Sequence, residues 1–243
     1  GGTLGGAGNT TVSGPFSWTS GELGNPSATN GTFTTTGAVT MNPGGAGNYG
    51  YLYLYRPWNL NSGGSFIADG ASHSLLYFYN SASAINVPSG QTLNISDTTT
   101  DSNNYGAYFY YSISNPGLVN AGTVAINSGD FYLSTNATNT GTINIANASN
   151  FRIEGGTTNL GGSASFTGSG SFYVSGGTVN ATTAINPANL NINGGILNLN
   201  TDMTLTGNVN LSSGTLGGTG NTNVAGPFTW TGGNLGNTSG TNG

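Results

Sequence analysis

Seven carboxylates, one imidazole, two guanidinium groups and twelve phenols are the side chains of this sequence that can move protons, hold ions or stack on a ligand. The acids are Glu22, Asp69, Asp97, Asp101, Asp130, Glu154 and Asp202, and the cations are Arg56 and Arg152, with no lysine. Hydrolysis of a glycosidic bond needs two carboxylates facing each other across it, and elimination on a polysaccharide adds Lys or Arg to steady an enolate. The first four acids are scattered along the chain, and no basic residue follows Asp97 or Asp101. His73, in GASHSLL, has no acid or hydroxyl at a suggestive spacing, so a surface or loop histidine is expected rather than a catalyst. No GxSxG elbow occurs. No catalytic residue is assigned, and the expectation is a protein that is not an enzyme, with a polysaccharide-acting enzyme as the remote alternative.

The most polar stretch is SDTTTDSNN, residues 96–104, where Asp97, Asp101 and Asn103 could gather oxygens around Ca²⁺. It lacks the GGxGxDxUx repeat of calcium-loaded rolls. A solvated loop is therefore the expectation, and neither metal nor cofactor is predicted. Cysteine is absent, which removes disulfides and thiolate metal sites but places the chain in no compartment.

The phenols are a different matter, because ten of the twelve tyrosines fall between Tyr49 and Tyr111. In YLYLY, if Leu52 and Leu54 point inward, Tyr51, Tyr53 and Tyr55 point outward. LLYFYN repeats this with Tyr77 and Tyr79 outside, YGAYFYYS adds Tyr108 and Tyr110, and FYL, FRI and FYV extend it through Tyr132, Arg152 and Tyr173. These nine tyrosines are candidates for glycan stacking or for contact between fibres, since large exposed apolar patches mark contact surfaces. The plainer alternative is ring-on-ring packing along the chain, worth about 0.5–1.5 kcal/mol per pair.

The elements that must carry these residues follow from periodicity. In GGILNLNTDMTLTGNVNLS, residues 194–212, Leu197 and Leu199, then Met203 and Leu205, then Val209 and Leu211 alternate with polar residues between turn-formers. Such alternation marks half-buried strands, and three strands per coil make a triangle. Glycine recurs ahead of the strand at Gly156, Gly177, Gly195, Gly214 and Gly233, and the same step of about 19 separates Gly2 from Gly21 and Gly122 from Gly141. No 3.6-residue pattern calls for a helix. The predicted fold is an all-β parallel β-solenoid of roughly 19-residue triangular coils, each bonded to the coils above and below at about 4.8 Å. An antiparallel sandwich or barrel also has short strands and Gly-rich turns, but it does not place the same residue in the same place in each turn.

A solenoid accounts for the composition. Leu, Ile, Val and Phe make only 48 of 243 residues, yet a narrow interior needs few large side chains, and disorder is disfavoured because disordered chains of this polarity carry high charge. Charged residues are 4% of the chain, and stacked like charges under 5 Å apart would repel. Asn159, Asn180 and Asn198 fall at equivalent places, as an amide ladder requires. A net charge of −5 without a basic cluster argues against nucleic acid and anionic membranes as partners, and no apolar run is long enough to cross a bilayer. Thr34–Thr36 and Thr98–Thr100 are reminiscent of ice-binding arrays without recurring at every coil. Eight N-x-S/T triplets, beginning at Asn9, leave glycosylation open.

A longer period encloses the short one. Residues 2–31 and 214–243 share 22 identities over 30 positions at a constant offset of 212. The expected organisation is one unit over residues 1–212, decorated with tyrosine at 49–111, and the start of the next unit at 213–243. At 19 residues per coil a unit would hold about eleven coils and rise roughly 53 Å.

The segments GTLGG, GTVNA, GGILNLN and FTWTGGNLGN resemble the Gly/Asn/Thr-rich coils of bacterial exported β-helix proteins: filamentous-haemagglutinin-type adhesins, autotransporter passengers and related giant surface proteins. The resemblance implies right-handed coiling, consistent with the handedness of parallel crossovers, together with export and a cell-surface or extracellular role. It carries over no binding residue. The functional expectation is a structural repeat of a long fibre or adhesin stalk whose partners are other copies of the repeat, in one chain or as head-to-tail subunits. The alternative is a glycan-binding surface module.

Overall fold

The computed structural model describes residues 1–44, 49–69, 73–99, 106–111 and 115–237. Among them there is no helix, and every strand pair is parallel. The chain winds as a β-solenoid of about ten coils. The coils contribute strands to three faces, and the coil of Ser171–Val174 and Thr178–Ala181 has none on the third.

The first face runs from Thr3–Leu4 and Gly21–Leu23 through Tyr49–Leu54, His73–Phe78, Ala107–Tyr111, Asp130–Ser134, Asn150–Gly155 and Ser171–Val174. It continues into the first halves of Asn189–Leu199 and Asn208–Gly217 and ends at Phe228–Trp230. The second face starts at Thr10–Val12 and Phe33–Thr35, passes through Pro57–Leu60 and Ala84–Val87, and ends at Asn234–Leu235 over the second half of Asn208–Gly217. The third stacks Phe16–Trp18, Val39–Met41, Gly64–Ala68, Thr92–Asp97, Thr123–Ser128, Thr142–Ile145 and Ser165–Thr167, and further along the chain Met203–Leu205 lies under Thr222–Val224.

Period-two alternation decides which side chains enter the core. On the first face Leu52, Leu76, Phe109, Leu133, Ile153, Val174, Ile192 and Leu211 stand in register and are buried. A second inward column stacks Phe131 on Phe151 at 5.4 Å and Phe151 on Phe172 at 5.6 Å. Leu197, Leu199, Met203, Leu205, Val209 and Leu211 are all buried, as their alternation requires. No coil could bury these groups alone, so stacking itself makes the core.

The glycine column marks the corner between the first and second faces. Gly177 has φ +63°, and a Cβ there would lie 2.4 Å from the Gly156 carbonyl oxygen of the coil below. Both facts demand glycine, because L-residues avoid that backbone region and the backbones approach too closely for a side chain.

Coil length departs from 19 residues in the tyrosine zone. Glu22 pairs with Tyr53, Leu76 with Phe109, and Phe109 with Leu133, whereas Ile192 to Leu211 and Leu211 to Trp230 keep a step of 19. The offset of 212 therefore spans fewer than the eleven coils expected: from Thr3 on the first face to Thr215 on the second are nine coils and one face. That span rises roughly 45 Å instead of 53 Å.

Amide ladders form where the sequence places them. Asn180 Nδ2 donates to Asn159 Oδ1 at 3.2 Å, and Asn198 Nδ2 donates to Asn180 Oδ1 at 2.9 Å. Similar links join Asn86 to Asn59 and Asn208 to Asn189. Each such amide can donate downward and accept from above, so the ladder satisfies itself along the axis.

Candidate functional site: the tyrosine face

The outward side of the first face carries two ranks in register. One contains Tyr51, Leu75, Tyr108, Tyr132, Arg152 and Tyr173; the other contains Glu22, Tyr53, Tyr77 and Tyr110. Tyr55 and Tyr79 form a shorter third rank, with centroids 5.5 Å apart and rings 25° from parallel. Tyr53 lies 5.7 Å from Tyr77 and 5.6 Å from Tyr79, and Tyr77 lies 5.2 Å from Tyr110. The strand spacing enforces these contacts, since neighbouring coils at about 4.8 Å bring rings to the offset or tilted separations that aromatics favour.

The rings share their burial unequally. Tyr79 is 37% and Tyr110 38% exposed, whereas Tyr51, Tyr53, Tyr55, Tyr77, Tyr108 and Tyr173 are half-buried against one another or against Arg152. Burial, reinforced by the neighbouring tyrosines, pushes the Tyr77 phenol up to about 12. Tyr53 and Tyr55 rise for the same first reason, with Glu22 and adjacent rings adding to it. Between Glu22 and Arg152 the face is thus a close-packed aromatic surface.

Tyr132 corrects the reading of an unbroken exposed stripe. It points outward by register but is only 8% exposed. Tyr108 stacks on it at 5.4 Å and 9°, and the Arg152 guanidinium covers its other side at 5.7 Å. Its hydroxyl donates to Asp130 Oδ2 at 2.9 Å. Leu75 also interrupts the first rank, which separates Tyr51 from Tyr108.

The charged cluster beside Tyr132 was not visible in the sequence, because Asp130 and Arg152 lie a coil apart. Arg152 Nε donates to Asp130 Oδ2 at 3.0 Å, and its guanidinium sits 4.0 Å over Tyr173. Asn150 Nδ2 donates to Asp130 Oδ1. Burial alone would lower the Arg152 pKa, but the Asp130 carboxylate outweighs it and holds the guanidinium above its ordinary value. Burial pushes Glu154 up, partly opposed by Arg152. Asp130 accepts three side-chain donors, which makes the cluster a staple between coils.

Of the remaining candidates, Asp97 and His73 are buried. Asp97 is buried, not solvated: Oδ1 accepts from the Thr99 backbone N–H and hydroxyl, and Oδ2 accepts from the Asp130 N–H at 3.0 Å. Asp101 and Asn103 lie outside the described residues, and among the described residues no cluster of three His, Cys, Asp or Glu could hold a metal. His73, expected in a loop or at the surface, is 5% exposed and begins the strand His73–Phe78. Arg56 is fully buried at a corner, where Nε donates to the Gly31 carbonyl at 2.6 Å and Nη2 to the Gly8 carbonyl at 3.1 Å. It ties three successive coils together, a role for which the YLYLYRPW segment gave no signal.

In comparison with known proteins, the chain matches no family model, no curated protein and no solved structure.

Proposed function

We propose that the chain is a structural segment of a long extracellular fibre or adhesin stalk of bacterial type, built from units of about 212 residues that follow one another in one solenoid. The observation that carries this reading is the repeat itself: residues 214–243 match residues 2–31 at 22 of 30 positions, and their strands stack on the same solenoid. In the first copy Leu23 is 1% and Trp18 6% exposed. Their equivalents at the other end of the solenoid, Leu235 and Trp230, are 54% and 53% exposed, and Phe228 is 40% exposed.

What buries the first copy is the coil that follows it. Trp18 packs against Trp58 at 5.8 Å, Phe16 against Phe33 at 5.1 Å, and Leu23 pairs with Leu54. The second copy offers the same apolar edge, and a further stretch with the chemistry of residues 32–60 is what fits it. Unpaired strand edges of this kind are templates for more strand. Separate subunits polymerising head to tail would use the same edge.

Export and surface display complete the proposal. Immunogold electron microscopy of intact producing cells, with antibody raised against the chain, tests it. Label along thin surface filaments is expected; label confined to the interior of opened cells overturns it. A second reading, glycan binding, is favoured by the contiguous rings of Tyr53, Tyr77, Tyr79 and Tyr110, whose partly exposed faces suit the flat apolar side of a sugar.

A further inference from the structure

The two copies of the repeated sequence do not sit on the same faces. Thr3 and Leu4 belong to the first face, paired with Glu22 and Leu23. Their equivalents Thr215 and Leu216 belong to the second, paired with Ile196 and Leu197. Thr10–Val12 lies on the second face, but Thr222–Val224 lies on the third, over Met203–Leu205. Phe16–Trp18 lies on the third, but Phe228–Trp230 lies on the first, over Val209–Leu211. Gly21–Leu23 is on the first face and Asn234–Leu235 on the second.

All four displacements have the same sense and size: one face forward. The backbone tolerates this because each face accepts the same element, a short strand whose alternate residues enter the core. The glycine corner moves with the sequence. A Cβ on Gly21 would meet the Gly2 carbonyl oxygen at 2.4 Å, and one on Gly233 would meet the Gly214 carbonyl oxygen at 2.7 Å.

We infer that consecutive units are turned by one face, about a third of a turn, so that the tyrosine face emerges on each of the three sides of the rod in succession. This rests on the tandem reading proposed above. The sequence of the second copy starts on the face after the one used by the first copy, so its equivalent of Tyr49–Leu54 falls on the second face, and that of a third unit on the third face. The pattern returns after three units, a rise of roughly 135 Å at about 4.8 Å per coil. Lateral contacts made by tyrosine then point in three directions around the axis. Such a rod contacts neighbours on all sides instead of joining a flat ribbon.

Two measurements test the inference. In the 243-residue chain, which has no native cysteine, the double variants N210C/T229C and T204C/T229C are oxidised and compared. Asn210 and Thr229 are register partners on adjacent coils, at a spacing a disulfide can bridge. The expected result is efficient closure of the 210–229 pair and little of 204–229; the reverse places the second copy in phase with the first and overturns the inference.

In the second measurement, a chain carrying three consecutive units with Y79C in each is labelled with gold and imaged by cryo-electron microscopy. Labels about 45 Å apart and stepping round the rod by a third of a turn are expected. A continuous rod with all labels along one side overturns the phase shift and leaves the tandem reading standing. Separate globules in place of one rod overturn the tandem reading, and the phase shift with it.

Discussion

Trp18 and Trp230 occupy the same place in a repeated sequence, yet Trp18 is closed into the core on the third face while Trp230 stands open on the first. The difference is not local, since both sit in short strands of the form Phe-x-Trp with the preceding Gly-Pro. It comes from what lies on the next coil. A solenoid coil is half an interface, and its neighbours decide which side chains count as interior.

Truncating the core should cost accordingly. Leu133→Ala, in the middle of the first-face column, is expected to lower unfolding stability by about 2–5 kcal/mol, measured by urea denaturation. Leu235→Ala, at the open edge, is expected to change it by less than about 0.5 kcal/mol in the same chain. Equal effects would contradict the assignment of core and edge.

The glycine corner makes a second prediction. Gly177→Ala places a methyl group against the Gly156 carbonyl at a positive φ and should destabilise by more than about 1 kcal/mol. Gly14→Ala, where an added Cβ meets nothing within 4 Å, serves as the control and should be close to neutral. Thermal melts of the two variants distinguish strain at the corner from a general intolerance of alanine.

Breaking the staple beside Tyr132 is the third. Arg152→Ala leaves the buried Asp130 carboxylate without its cation, and a loss of about 3 kcal/mol is expected. Adding Asp130→Asn to it should recover part of that loss, because the uncompensated charge is then gone. No recovery in the double variant would mean that the ion pair contributes through packing alone.

Alkaline pH should unfold the protein through its tyrosine face. A phenol whose folded pKa is about 12 against an unfolded value of 10.0 holds its proton longer in the folded state. Its stabilisation is full below pH 10 and is lost as pH rises toward 12. Denaturation midpoints between pH 8 and pH 12 should be flat and then fall, and Tyr77→Phe should lessen the fall. A midpoint that rises with pH would contradict the packing described for these rings.

The glycan reading has its own test. Replacing Tyr53, Tyr77 and Tyr79 together with Ser removes three contiguous outward rings while leaving the inward Leu52, Leu54, Leu76 and Phe78 in place. If the face binds sugar, retention on immobilised polysaccharides is abolished with the coil fold intact by circular dichroism. Unchanged retention removes the reading.

The inward residues were legible because strand alternation has a period of two wherever the chain lies, so Leu52, Leu54, Phe131 and Val209 could be assigned without knowing their neighbours. The amide ladder was legible from the coil step, since Asn159, Asn180 and Asn198 recur at intervals of 21 and 18 residues. Tyr132 was not, because its burial depends on Arg152 and Tyr108 in adjacent coils. Nor were Asp97, which accepts from the Asp130 N–H of another coil, and His73, which is buried at the start of its strand. Coil length also hid the phase of the repeat: the step of 19 holds in the plain coils, and the longer steps about Tyr53 and Phe109 accumulate into a turn of one face.

The central claim is that the open edge of the second copy accepts the continuation that buries the first. It is tested by appending the sequence of residues 32–60 after Gly243 and labelling the chain with 5-fluorotryptophan. The ¹⁹F solvent isotope shift of Trp230, assigned through Trp230→Phe, is then compared with and without the extension. The account predicts that Trp230 loses its solvent shift and comes to resemble Trp18. A Trp230 that remains as solvent-exposed as before, in an extended chain that is otherwise folded, would contradict it.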